Sequence, residues 1–286
     1  MAETESAFRR VGPESPDSPV VLSVPHAGRR YSDALLNAAR LTRGKLETLE
    51  DRLVDRLVWR AVAQGAVAIV AEIPRAEIDL NRDERELDPA LISPRPHPAS
   101  VDESPRTRGG LGLVPARIAG AGAIWRQRIP AWEIERRLER VYRPYHAALE
   151  AALAAARARF GVAVLLDCHS MPPRSDPARQ PPVVLGDRYG TSLAPLLIDA
   201  AETAVRDSGY PVARNAPYAG GEITRRYGRP AEGLHALQIE IDRSLYLAPD
   251  LRSPGPGFDG VALLLARVAA ALAAAALAPP HALAAE

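Results

Sequence analysis

The run Ala-Val-Leu-Leu-Asp-Cys-His-Ser-Met at residues 163–171 constrains the fold more than any other stretch of the chain. Its continuous apolar start is the signature of a strand buried on both faces of a parallel sheet. The run then places Asp167, His169 and Ser170 where such a strand meets its loop. In open α/β sheets ligands bind at the carboxyl ends of strands. Residues 20–24 repeat the event, an apolar run leading straight into Pro25, His26, Ala27 and Gly28. Two buried strands, each delivering a histidine at its carboxyl end, predict two arms of one metal site.

The rest of the chain supplies partners for these strands. Residues 1–18 carry Pro, Ser, Glu and Asp without periodicity, which predicts a flexible N-terminal arm. Residues 32–39 suggest a short helix with Ser32 as N-cap. Leu49, Leu53, Val54, Leu57, Val58 and Ala61 have the spacing of an amphipathic helix over 48–64, closed by Gly65. A second apolar strand follows at 66–73. Strand, helix, strand in this order implies a right-handed crossover and a parallel pair. Residues 83–128 carry no periodic element over their first part and read as a long loop on the substrate side. A long helix is expected over 134–160, with a kink or a break into two helices at Pro144. Short strands are expected at 181–185 and 212–213, a helix at 192–208, a strand at 234–241 and a helical tail from Gly260. The pattern predicts a single α/β domain over 19–286, with a mixed, mostly parallel sheet flanked by helices.

Composition narrows the function. The chain has 36 basic and 35 acidic residues and a formal net charge of +1. That balance, with only 3 Trp, 8 Tyr and 3 Phe and no basic stripe, argues against nucleic acid or an anionic membrane as partner. One cysteine, Cys168, allows no internal disulfide and fits a reducing compartment, and residues 1–10 lack an apolar signal core, so a cytoplasmic protein is expected. The Ala-rich stretch 261–279, interrupted by Arg267, reads as a packed surface helix.

Several residues are placed to carry chemistry. Neutral imidazoles on rigid strand ends suit zinc, which at a catalytic site takes three protein ligands and leaves a position open. Position 29 is Arg, so His26 does not belong to a His-x-x-Glu pair, and the acidic candidates for a third ligand are Glu47, Glu50, Asp51 and Asp55. Arg75 and the tip Asp79-Leu80-Asn81-Arg82 offer guanidinium forks that pair with a carboxylate, or that make structural ion pairs with Asp79. The stretch 220–228 reads as a substrate-covering loop presenting Thr224 and Arg225. In the alternating run 234–241, Gln238 and Glu240 share a face, and Glu240 is either a general base or part of an exposed strand face.

In order, the chain carries Ser-Val-Pro-His26-Ala-Gly, Glu50-Asp51 with Val54-Asp55-x-Leu57, Arg75 with Ile78-Asp-Leu-Asn-Arg82, Asp-Cys-His169-Ser, Gly-Gly-x-Ile-Thr-Arg225-x-Tyr-Gly and Gly233-x-His-Ala-x-Gln-x-Glu240. Together these motifs resemble the N-formylglutamate amidohydrolases (N-formylglutamate deformylases) of histidine degradation, over about residues 20–245. The resemblance implies a phosphorylase/hydrolase-like fold, similar to that of zinc carboxypeptidases and aspartoacylase. It implies one divalent metal, Zn2+, held by His26, Asp51 and His169, with Glu240 activating water and Arg75 polarising the scissile carbonyl. Asn81 and Arg82 would hold a substrate carboxylate, and Arg225, with Thr224 beside it, a second one. The expected reaction is hydrolysis of N-formyl-L-glutamate to L-glutamate and formate. An amidase for another N-acyl amino acid or small peptide is the alternative, since residues 83–128 match no glutamate-specific pocket. A catalytically silent binding homologue is a further one, although all four of His26, Asp51, His169 and Glu240 are present.

Overall fold

The computed structural model describes residues 6–174, 176 and 180–279. The main sheet has seven strands: β1 (Phe8–Val11), β2 (Val20–Val24), β3 (Val67–Ala71), β4 (Ala163–Met171), β5 (Val183–Gly186), β6 (Val212–Arg214) and β7 (Leu234–Asp242). Their order across the sheet is β1-β3-β2-β4-β7-β5-β6. β4 runs parallel to both β2 and β7, and β5 runs antiparallel to β7. The fold is therefore the expected mixed, mostly parallel α/β sheet. β2, β3 and β4 are buried along their whole length, as their unbroken apolar runs require.

Helices α1 (Asp33–Ala38), α2 (Val54–Leu57), α3 (Trp59–Ala63), α4 (Ala131–Arg137), α5 (Arg143–Phe160), α6 (Pro195–Asp207), α7 (Glu222–Tyr227) and α8 (Phe258–Leu277) complete the frame. α8 packs on α2, α3, α6 and the strands β2 and β4, while α7 packs on β4 and β7. α8 is long and apolar enough to cross a membrane. Its Val261, Leu264, Leu265, Val268 and Leu272 are instead buried in that packing. Ser32 caps α1 as expected, its side chain accepting from the Leu35 amide at 3.1 Å.

By internal packing the chain forms two compact units, each assembled from three separate segments. The first holds residues 1–9, 25–51 and 70–148, and the second residues 10–24, 52–69 and 149–286. Residues 83–128 are not a bare loop. They contain the one-turn helix Pro105–Arg108 and the strand pair Arg117–Ile118 and Gly122–Ala123. This segment is tied to the tip of the Arg75–Arg82 stretch by a 2.7 Å bond from the Asp79 amide to the Leu113 carbonyl.

Three expectations are corrected. Within 1–18, residues 8–11 form an edge strand instead of a loose arm, with the Glu72 amide bonded to the Ala7 carbonyl and Arg9 paired to Glu72 at 2.8 Å; residues 1–5 lie outside the described residues. The helix expected over 48–64 is interrupted. Glu50 is extended, Leu53 is left-handed at φ 63, and regular helix resumes only at α2. The Asp51 amide donates 2.9 Å to the His26 carbonyl. By contrast, the break expected near Pro144 in the long helix at 134–160 is present, as a π-helical turn, Leu138–Tyr142, just before it. The stretch expected to cover substrate at 220–228 is largely helix α7.

Gly28 explains why His26 is followed so closely by a glycine. A Cβ built on it would overlap the Ile73 carbonyl carbon and oxygen. Gly28→Ala is expected to destabilise the fold by about 1–3 kcal/mol, the usual cost of forcing a methyl group into packed backbone. Urea unfolding checks this, and an unchanged midpoint would show that the two chain segments separate at no cost.

Candidate functional site

In the second unit, register places the chemistry. β4 and β7 pair so that His169 lies opposite Glu240 and Asp167 opposite Gln238. Partners in a parallel pair project to the same face, so His169 and Glu240 are neighbours. The Asp167 carboxylate lies 2.8 Å from His169 Nε2, which leaves Nδ1 as the nitrogen directed at a ligand. Gln238 Nε2 donates to Glu240 Oε1 at 3.0 Å, orienting a carboxylate that is itself buried. Strand β7 is almost wholly buried, so its alternation reflects two covered faces and not exposure of one.

In the first unit, Asp79 is the hub. Its fully buried carboxylate meets His26 Nε2 at 2.7 Å, Arg75 Nε at 2.8 Å, the Asn81 amide at 2.9 Å and Arg82 Nε at 3.8 Å. Burial alone would raise its pKa, but Arg75, Arg82 and His26 outweigh that and hold the Asp79 carboxyl well below the usual range. His26 presents Nδ1 at 3.3 Å from Asp51 Oδ2. Arg82 is buried, and burial lowers its pKa; its guanidinium donates to the carbonyls of Leu111 at 2.8 Å and Asn81 at 2.6 Å. The Asp79–Arg82 tip therefore carries ion pairs at Asp79, with Arg75 the more exposed of the two guanidinium groups.

His26, Asp51 and His169 bring their ligand atoms within 4.8 Å of one another, and all three residues are buried. β2 explains how: it pairs with β4 with Ser23 opposite Asp167, so the chain leaving β2 reaches His26 at the carboxyl end of β4. Two imidazoles and one carboxylate, with a further carboxylate on the far nitrogen of each ring, are the donor set and outer support of a divalent-cation site. Of the four acidic candidates, Asp51 is the one that joins the histidines; the neighbouring Glu50 accepts a 2.7 Å bond from the Tyr31 hydroxyl.

Two expected substrate residues are engaged otherwise. Thr224 is fully buried and its hydroxyl donates 2.9 Å to the Gly221 carbonyl, closing the first turn of α7. Arg225 makes a two-pronged pair with Glu222, at 2.5 and 2.7 Å, and its side chain is 52% exposed. Asp79 and Asp167 are the residues whose support of the two histidines sequence reasoning missed. The signal available for them was a carboxylate near a strand-end histidine: Asp167 stands two positions before His169, whereas nothing local to Asp79 pointed to His26.

Residues 18–247 match the family model described as N-formylglutamate amidohydrolase. The N-formylglutamate deformylase of Pseudomonas putida is 32% identical over 237 residues, covering 80% of this chain and 82% of that protein. The Pseudomonas aeruginosa protein of the same name is 30% identical over 235 residues, with 80% and 82% covered. The crystal structure of N-formylglutamate amidohydrolase from Ralstonia eutropha JMP134 superposes with a TM-score of 0.85 at 36% identity, covering 93% of this chain and 98% of that one. A gene product of Agrobacterium tumefaciens shares the fold at a TM-score of 0.63 and 20% identity, covering 93% and 95%. This chain belongs to the N-formylglutamate amidohydrolase family.

Proposed function

We propose that this chain is a metal-dependent amidohydrolase that cleaves N-formyl-L-glutamate to L-glutamate and formate. The observation that carries the reading is the buried His26–Asp51–His169 ligand set, with Glu240 in register beside His169. The names of its relatives in Pseudomonas and Ralstonia support the substrate. The donor set favours zinc. A divalent cation held there supplies Lewis acidity towards a carbonyl oxygen and lowers the pKa of a coordinated water.

The chain's own residues do the rest. The Glu240 carboxylate takes the proton of the attacking water, with Gln238 fixing one of its oxygens. The water oxygen adds to the formyl carbon, and Arg75 faces the negative charge that develops on the formyl oxygen. Glu240 passes its proton to the amide nitrogen as the C–N bond breaks, releasing the amine of glutamate and formate. Asn81 and Arg82 hold the α-carboxylate, and residues 83–128, anchored through Leu111 and Leu113, shape the pocket around it. A reducing, cytoplasmic setting fits the single, buried Cys168, and a place in histidine degradation is part of this proposal.

The test is metal quantification together with an assay of amine release from N-formyl-L-glutamate and a panel of other N-acyl amino acids. About one zinc per chain, activity lost on chelation and restored by zinc, and preference for N-formyl-L-glutamate are expected. Preference for another panel member would move the substrate, and no activity with zinc restored would remove the hydrolase reading.

A further inference from the structure

With Arg225 committed to Glu222, the side-chain carboxylate of a glutamate substrate needs another cation. We propose that Arg174 supplies it and so sets the preference for an acidic acyl amino acid; this rests on the hydrolase reading above. Arg174 lies just beyond the carboxyl end of β4. Its amide donates 2.7 Å to the Asp242 carboxylate at the end of β7. Asp242 is two residues after Glu240 and therefore projects from the same face of the sheet. Arg174 is thereby fixed above the face that carries His169 and Glu240.

Its guanidinium is held ready for a ligand. The group stacks over the Tyr218 ring at 5.8 Å, and its Nε is buried without a hydrogen-bond partner among the described residues. A buried guanidinium N–H is costly to leave unsatisfied, whereas a carboxylate satisfies it bidentately. The Tyr218 platform is itself on the reacting face. Gly186 pairs with Gln238, and a Cβ on Gly186 would lie 2.7 Å from the Tyr218 carbonyl oxygen and the Ala219 carbonyl carbon. The 216–220 turn thus lies directly over the side of β5 and β7 from which Gln238 and Glu240 project, with Tyr218 carrying Arg174.

The experiment compares wild type with Arg174→Ala and Arg174→Lys in the full-length, zinc-loaded protein. kcat/KM is measured for N-formyl-L-glutamate and for N-formyl-L-glutamine, a substrate of nearly equal shape without the charge. Arg174→Ala should lower the glutamate-to-glutamine ratio by about 10–100-fold, mainly through KM, the scale of one lost charge-assisted contact. Arg174→Lys should recover part of it. Calorimetric binding of L-glutamate against L-glutamine reads the same contact without turnover, so it answers even if the hydrolase reading fails. If Arg174→Ala does not fold, Arg174→Gln, which keeps length and drops charge, carries the comparison. An unchanged ratio in both measurements, with both ligands weakened alike, would assign Arg174 to structure and overturn the proposal.

Discussion

Glu240→Gln is expected to lower kcat on N-formyl-L-glutamate by about 10²–10⁴-fold, the range that a positioned general base contributes. The substitution keeps side-chain size and keeps a carbonyl oxygen for Gln238 to reach, so the fold should hold. It removes the one carboxylate placed opposite His169 that is outside the ligand cluster. Metal content should therefore stay at the wild-type level while turnover collapses. Steady-state kinetics paired with elemental analysis decides it. A loss under about tenfold would place the proton transfer on another group, and a loss of metal would make Glu240 a ligand.

Asp79→Ala carries the largest expected cost in stability. The carboxylate neutralises Arg75 and Arg82 and braces His26, all at a fully buried position. Deleting one partner of a buried charge cluster leaves the others desolvated without compensation, which costs about 3–5 kcal/mol. Asp79→Asn separates the two roles. It preserves volume and can still hydrogen-bond His26, but it no longer offsets the arginines. Weakened outer support of a histidine ligand lowers metal affinity by about 10–100-fold. Urea unfolding and zinc titration of both variants read the two effects. If Asp79→Ala unfolds at the wild-type midpoint, the cluster is solvated enough to do without its anion.

The sheet was legible because buried strands must be apolar, and residues 20–24, 66–73 and 163–166 announce themselves by that rule, while 234–241 shows by alternation. His26, His169 and Glu240 were legible as polar residues at or near the carboxyl ends of such runs. The break at Glu50–Leu53 was hidden by the same rule. Leu49, Leu53, Val54, Leu57 and Val58 are all buried, as a helical stripe demands, yet the chain buries them with Leu53 left-handed. Beside the break the Asp51 amide bonds the His26 carbonyl, remote in sequence, and Leu53 holds a left-handed conformation that local periodicity does not announce. β1 was hidden because an edge strand with an intermediate and exposed pattern has no apolar run to show. The local bonds of Thr224 and Arg225, one closing its own helical turn and one pairing with Glu222, were not legible from spacing alone.

The pairing of β2 with β4 sets Val20 opposite Val164 and makes the candidate metal cluster depend on one distant closure. Closing so long a loop adds little to its entropy cost but slows folding. During synthesis at about 5–20 residues per second, His26 leaves the ribosome on the order of ten seconds before His169. For that interval the nascent chain holds His26 and Asp51 without His169, so a cation that needs all three groups could be bound only once β4 has emerged.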